Sequence, residues 1–176
     1  MYVNRFKHRL DYHSRNIIIN ALIFSNINYC QIIWGRCSQK LLHKVQKSVN
    51  FAAKVVSNGR HVKRDRVTPL LKKLGWLEIA NRIKLREGLY VYNSMRCPTG
   101  INRISFPRAE TGGRSRRDQH RLVVPCRKTQ AGHRALSVSG PVLWNTLPSE
   151  IKRAPFASTF KKLYTRLLLS QQFPKR

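Results

Sequence analysis

Apolar residues recur at spacings of three and four from about Gln39 to Ser57, the pattern of a helix with one buried face. Asn58-Gly59 follows as a helix stop signal. Patterns of the same kind predict helices over about Leu10 to Ser25, from Thr68-Pro69 to Gly75, and from Trp76 to Met95. Thr68 and Pro69 are predicted as the N-cap and the first helical residue of the short helix. Residues 1–96 are therefore predicted to form a helical unit of about four helices.

The same patterns predict which side of each helix is buried. In the first helix the predicted buried residues are Ile17, Ile18, Ala21, Leu22 and Phe24. In the second helix they are Leu41, Leu42, Val45, Val49, Ala52 and Val56. In the fourth helix they are Ile79, Ala80, Ile83, Leu89 and Tyr92. Apolar residues make up 41% of the chain, which is enough for a modest core.

Between residues 97 and 131 the helical periodicity is lost. Proline and glycine punctuate a strongly basic stretch, which predicts an irregular linker or hinge. Within it, Leu122-Val123-Val124 is suited to pair as a short strand.

Residues 132–176 are predicted to form a compact turn followed by a terminal helix. Gly140-Pro141 is interpreted as a turn or a helix start, and an apolar cluster anchored by a buried Trp144 follows it. Pro148 closes this cluster, and Ser158 is the predicted N-cap of the last helix. The predicted buried face of that helix consists of Phe156, Phe160, Leu163 and Leu167. The predicted fold class is thus mainly α, with a helical N-terminal unit, a basic irregular hinge and a compact C-terminal turn plus helix.

The chain has 35 Lys and Arg against 7 Asp and Glu, a formal net charge of +28. This excess goes beyond what solubility requires and predicts RNA or DNA as a partner, bound mainly through phosphates. The predicted contact residues are Arg60, Lys63, Arg64, Arg108, Arg114, Arg116, Arg117, Arg121, Arg127 and Lys128. Most of them lie in the predicted hinge, so nucleic acid is expected there. A solvated basic surface or a ribosomal-type protein would have the same charge signature.

A membrane partner is not expected. No apolar run approaches the roughly 20 residues that a spanning helix needs, and the N-terminal stretch has no secretory apolar region. A mitochondrial presequence is an alternative, against which Asp11 and the scarcity of Ser argue. The sequence predicts an intracellular protein of the nucleus or the cytoplasm.

The four cysteines do not have the spacing of a zinc knuckle. Cys30 and Cys37 are separated by 6 residues, and Cys97 and Cys126 by 28. Free, reduced thiols are predicted, with no metal site and no cofactor.

The sequence evidence for a catalytic site is equally weak. Ser137, His133 and Asp118 could form a triad on paper, but no G-x-S-x-G pattern surrounds the serine. Gly112-Gly113 could contact a phosphate, yet no Walker-type G-K-[ST] follows. Among the aromatic residues near arginines, Phe106 is the one predicted to stack on bases, whereas the others are assigned to the core.

Three stretches of the sequence resemble the motifs of one known protein family. The most specific runs over Val124-Pro125, Thr129, Gly132, Ser137, Gly140-Pro141, Leu143-Trp144-Asn145, Leu147-Pro148 and Phe160-Lys161. Upstream lie Val67-Thr68-Pro69-Leu70-Leu71, Leu74, Trp76-Leu77 and Arg82-Ile83, and before them Leu22-Ile23, Asn28-Tyr29-Cys30, Trp34-Gly35, Val45-Gln46 and Ala52-Ala53. In this order they resemble the region behind the palm in reverse transcriptases of LINE-type (non-LTR) retrotransposons of the jockey-like group.

The resemblance implies that residues 1–96 are thumb-like, that residues 97–131 form a linker, and that residues 132–176 form the family's C-terminal tail. It also implies the remaining parts of a reverse transcriptase as partners. Two-metal nucleotidyl transfer needs clustered carboxylates, whereas the 7 acidic residues are isolated and the Tyr-x-Asp-Asp turn is absent from the sequence. The chain is therefore predicted to be a non-catalytic fragment of an RNA-directed DNA polymerase. The alternative is a stand-alone basic nucleic-acid-binding or scaffold protein unrelated to polymerisation.

Overall fold

The computed structural model describes residues 3–57, 66–96, 106–108 and 120–174, and this part of the chain is mainly helical, as predicted. The chain divides into two compact units, which we call the first unit (Met1–Arg82 with Leu169–Arg176) and the second unit (Ile83–Leu168). The boundaries predicted at residues 96 and 131 differ from this division. Much of the predicted linker lies outside the described residues, so those boundaries stay a prediction.

The first unit contains a series of short helices and one long one. In chain order they are α1 (Val3–Phe6), a 3-10 turn (Lys7–Arg9), α2 (Tyr12–Ile19), a π-helical turn (Asn20–Phe24), α3 (Ser25–Asn28), α4 (Gln31–Trp34), α5 (Gln39–Ser57) and α6 (Thr68–Leu74). The predicted bounds of α5 are confirmed. So is the end of α6, where Gly75 adopts the left-handed conformation at φ +64°. Thr68 is the first helical residue of α6 rather than its N-cap, because Val67 precedes the helix.

The predicted buried side of the first helical segment is wrong in its register. Phe24 is buried as predicted, but Ile17 and Leu22 are 54% and 53% exposed, and Ile19 and Ile27 are buried in their place. From Asn20 onwards the cause is the π-helical turn, in which the amide of Ser25 donates to the carbonyl of Asn20, five residues earlier. A π turn inserts one residue into the helical register and rotates the following side chains to another face. Counting at 3.6 residues per turn therefore selects the wrong side for the residues that follow the turn.

Helix α5 supplies much of the core of the first unit. Its buried residues are Leu42, Val49, Ala52, Ala53, Val55 and Val56. Leu41, predicted to be buried, is 47% exposed. Trp76 is buried and its ring meets Phe24 edge-on, with centroids 4.7 Å apart.

Helix α7 (Ile79–Arg96) begins in the first unit, where two glutamine side chains satisfy its first backbone amides. Oε1 of Gln46 accepts from the amide of Ile79 at 2.7 Å, and Oε1 of Gln172 accepts from the amide of Glu78 at 3.0 Å. Nε2 of Gln172 donates to the carbonyl of Trp76 at 3.3 Å. Residues near the end of the chain thus complete the first unit.

The second unit contains the rest of α7 together with four further helices. They are α8 (Gln130–Arg134), α9 (Leu136–Thr146), α10 (Ser149–Lys152) and α11 (Ala157–Gln172). The last four residues of α11, from Leu169 onwards, belong to the first unit. Gly140 and Pro141 lie buried inside α9, so the predicted turn or helix start at this position is wrong. The predicted strand at Leu122-Val123-Val124 is reduced to a single antiparallel bridge between Leu122 and Arg108.

The predicted buried face of α11 is partly right, because Phe160 is buried as predicted while Leu163 and Leu167 are half-buried. Its buried residues in the second unit are Phe160, Tyr164 and Leu168, whereas Phe156 is 69% exposed. Phe156 lies before the helix begins, and Ser158 lies inside the helix rather than at its N-cap. The ring of Tyr164 belongs to the core despite its hydroxyl group, which a count of purely apolar residues omits.

The core of the second unit is aromatic and closely packed. Phe160 stacks on Tyr92 and on Trp144, with ring centroids 4.6 Å and 6.0 Å away. Gly88 of α7 lets the ring of Tyr164 approach, because a Cβ atom there would lie 2.7 Å from Cε1 of the tyrosine. The burial of Trp144, which is 2% exposed, confirms its prediction as a core anchor.

Candidate nucleic-acid interface

Trp144 and Asn145 of α9 hold an extended segment of the chain against the second unit. Oδ1 of Asn145 accepts from the amide of Leu122 at 2.9 Å, and its Nδ2 donates to the carbonyl of Leu122 at 3.0 Å. Nε1 of Trp144 donates to the carbonyl of His120 at 2.8 Å. Two adjacent side chains therefore satisfy the backbone of residues 120–122, which otherwise has little regular pairing.

A second extended segment, residues 106–108, lies beside the first. Arg108 forms an antiparallel bridge with Leu122, and the amide of Val123 donates to the carbonyl of Pro107 at 2.9 Å. Because α9 fixes residues 120–122, it also fixes the backbone of Arg108. The position of this basic residue thus depends on Trp144 and Asn145.

Phe106 anchors this second segment, so its prediction as an exposed base-stacking residue is wrong. It is only 9% exposed. Its ring meets Tyr90 edge-on at 6.5 Å and lies against Gly140, where a Cβ atom would be 3.2 Å from Cε1 of the phenylalanine. A glycine in mid-helix is what allows this ring to enter the core.

The predicted contact residues within the described part of the chain are all exposed, and all belong to the second unit. They are Arg108, Arg121, Arg127 and Lys128. Arg108 and Arg121 lie at or next to the same β-bridge. The other six predicted contact residues lie outside the described residues: Arg60, Lys63, Arg64, Arg114, Arg116 and Arg117.

A small cavity of about 100 Å³ lies in the second unit next to this bridge. Among the residues that line it are Tyr92 and Trp144, together with the basic or titratable Arg96, Arg108, His120 and Lys152. None of the described lining residues is acidic. The cavity therefore combines an aromatic wall with a concentration of positive charge.

Hydrogen bonds hold two of these basic side chains in place. The guanidinium group of Arg96 donates to the carbonyls of Ala154 and Pro155, at 2.7 Å for Ala154, and lies over the ring of Tyr92 at 4.8 Å. Nζ of Lys152 donates to the carbonyl of Asn145 at 3.3 Å. Arg96 in particular is pre-organised before any ligand arrives.

Burial and neighbouring charge act together on His120. Burial lowers the pKa of its imidazole, and the charges of Arg153, Arg108 and Lys152 lower it further. His120 is therefore biased towards its neutral form in the absence of an anion.

Sequence reasoning did not single out Arg96, His120, Lys152 or Arg153 as site residues. These side chains come from α7, from the segment at residue 120 and from the end of α10, so no local pattern relates them. The only signal available was the overall excess of positive charge.

The described chain also contains free thiols. Cys30, Cys37 and Cys126 are free thiols. Within residues 3–57, 66–96, 106–108 and 120–174 there is no group of three or more His, Cys, Asp or Glu that could hold a metal ion. No helix in the described ranges is both long enough and apolar enough to cross a membrane.

Comparisons with known proteins found no matching family model, no similar curated protein and no similar solved structure.

Proposed function

We propose that this chain is the region behind the palm, thumb and C-terminal tail included, of a LINE-type retrotransposon reverse transcriptase, and that it binds RNA or DNA through phosphates. The observation that carries the proposal is that Trp144 and Asn145, the centre of the most specific motif, hold the basic segments in place. The residues of the most specific motif and the exposed basic residues thus lie in the same unit. In this proposal the motif supports binding because it holds the basic segments in place.

The mode of binding follows from the exposed positive side chains. Arg108, Arg121, Arg127 and Lys128 can each neutralise a phosphate and release its condensed counterions. Phosphate contacts position a nucleic acid without reading its sequence. The buried state of Phe106 removes the one aromatic residue that was assigned to base stacking, so backbone contacts are the main contribution in this proposal.

The chain performs no polymerisation in this proposal. The carboxylates that would hold two metal ions belong to a palm encoded upstream, and this region contributes grip on the template or on the primer duplex. The upstream coding sequence tests the family assignment. An in-frame or decayed palm with a Tyr-x-Asp-Asp motif supports it, whereas an intact upstream sequence with no such remnant favours the stand-alone basic protein.

Binding itself is tested with a variant that leaves the charge unchanged. Asn145→Ala removes both side-chain bonds to Leu122 but no positive charge, so binding to a fluorescent RNA or DNA of arbitrary sequence should weaken. Thr146→Ala is the matched control, because the Thr146 hydroxyl is exposed and bonds only within its own helix, to the carbonyl of Leu143. Equal affinities for the two folded variants would show that the motif does not support binding.

A further inference from the structure

The described residues that line the cavity of the second unit carry an excess of positive charge. Arg96, Arg108 and Lys152 line it, and Arg153 is close enough to lower the pKa of His120. No described lining residue carries a negative charge. Like charges repel one another, and an anion in the cavity reduces the repulsion among these described side chains.

The size of the cavity restricts the anion. Its volume of about 100 Å³ is well below the roughly 300 Å³ at which pockets for drug-sized ligands begin. A nucleoside does not fit, whereas a single tetrahedral oxyanion does. The hydroxyl of Tyr92 and the Nε1 of Trp144 already donate to the carbonyls of Ala154 and His120, so the anion must bind through the basic side chains that line the cavity.

Arg96 has the geometry that such a ligand requires. A guanidinium group has five N–H donors, of which two are used in its bonds to Ala154 and Pro155. The remaining donors keep the planar fork that matches a phosphate. Because the side chain is already fixed, binding loses less rotamer entropy than it would with a mobile arginine.

We propose that this cavity binds a single phosphate group, held by Arg96, Arg108, Lys152 and His120. The inference rests on the proposed function for the source of that phosphate, which is either the backbone or the 5′ end of a nucleic-acid strand. Free inorganic phosphate has the same chemistry and is a third source. The proposal places one defined phosphate contact within an otherwise diffuse basic surface.

Sulfate is the probe for the cavity itself, since it is tetrahedral and keeps its charge between about pH 5 and 8. Isothermal titration at constant ionic strength should give saturable binding at one site. Arg108→Gln should weaken it about tenfold, the effect of losing one charged hydrogen bond. Arg121→Gln is the matched control, because Arg121 is exposed, lies beside the same bridge and does not line the cavity.

The sulfate affinity should also rise as the pH falls. An anion in the cavity favours protonated His120, so binding at about pH 5.5 should be tighter than at about pH 7.5. Among the described residues, the other charged groups facing this imidazole are Arg96, Arg108, Lys152 and Arg153, whose residue types keep their charge across this range. His120→Asn should remove the pH dependence while leaving the backbone carbonyl that accepts from Trp144.

Binding of two oligonucleotides of the same sequence, one with and one without a 5′-phosphate, identifies the source of the phosphate that the cavity binds. Tighter binding of the phosphorylated strand, lost in Arg108→Gln, assigns the cavity to a strand end. Equal binding of both strands, weakened more by Arg108→Gln than by Arg121→Gln, assigns it to a backbone phosphate. Sulfate binding without any oligonucleotide binding keeps the cavity, assigns it to free phosphate and refutes the proposed function.

The phosphate site is refuted if sulfate binding does not saturate, or if Arg108→Gln and Arg121→Gln weaken it equally. Either result would mean that only the general positive charge attracts anions. Oligonucleotide binding that persists alongside such a result would leave the proposed function intact, so the two failures are distinguishable.

Discussion

Replacing Trp144 with alanine tests the packing of the second unit most directly. The indole is 2% exposed, stacks on Phe160 at an interplanar angle of 17° and donates a hydrogen bond to the carbonyl of His120. Truncating a buried tryptophan to alanine costs about 3 to 5 kcal/mol, because apolar contacts are lost and a cavity remains. This loss is a large share of the roughly 5 to 15 kcal/mol that stabilises a typical domain.

Two further variants separate the contributions. Trp144→Phe keeps an aromatic ring but loses the hydrogen bond, so the expected cost is about 1 kcal/mol from the bond plus a smaller packing loss. Phe156→Ala removes an aromatic ring that is 69% exposed, and its expected effect is within about 0.5 kcal/mol. The order of destabilisation should therefore be Trp144→Ala, then Trp144→Phe, then Phe156→Ala.

Urea unfolding followed by far-UV circular dichroism measures these differences without depending on tryptophan fluorescence. The two compact units can unfold in separate steps, in which case the change belongs to the transition of the second unit. A loss below about 1 kcal/mol for Trp144→Ala would refute the reasoning and indicate an indole that is not a core anchor.

The remaining predictions concern packing, charge and pH. Gly88→Ala should destabilise the chain by about 1 to 3 kcal/mol in urea unfolding, because the new Cβ atom would lie 2.7 Å from the ring of Tyr164; an unchanged midpoint would contradict that contact. The triple variant of Arg114, Arg116 and Arg117 to alanine should weaken RNA and DNA gel shifts without lowering stability, and an unchanged shift would remove these residues from the interface. If ~6 basic residues of the parent chain engage duplex phosphates, log affinity should fall against log salt with a slope of about −5, and retention at high salt would contradict this. Hydrogen bonds from Ser14, its side chain first, hold the pKa of Asp11 below its ordinary value. The stabilisation from this N-cap of α2 is therefore fully present above the ordinary pKa of Asp and is lost as the pH falls through the lowered pKa. The protection factor of the Ser14 amide, which corrects for the pH dependence of intrinsic exchange, should fall on acidification in the parent chain and stay constant in Asp11→Asn, which keeps a cap that does not titrate.

The sequence was sufficient wherever a structural feature depends on nearby residues. The bounds of α5 follow from its apolar spacing, and the end of α6 follows from the need for a left-handed residue at Gly75. The burial of Trp144 follows from its size and its apolar neighbours. Each of these signals lies within one helix or directly beside it, so it can be recognised without knowing the rest of the fold.

Features that depend on distant residues were not predictable in the same way. The π-helical turn at Asn20–Phe24 has no clear local signal, and it reverses the exposure expected of Leu22. Phe106 is buried because Gly140, far away in the chain, has no side chain to exclude its ring. The basic cavity brings together residues as distant as Arg96 and Lys152, and only the three-dimensional fold makes them neighbours.

The hydrogen bonds of Gln172 have a consequence for the order in which the protein folds during synthesis. This side chain contacts the amide of Glu78, 94 residues earlier in the chain. A ribosome adds about 5 to 20 residues per second, so several seconds separate the emergence of the two partners. Throughout that interval the start of α7 lacks the hydrogen bond to Gln172, one of the two that cap its first amides. Forming this contact closes a loop of 94 residues, whose entropic cost grows only slowly with its length.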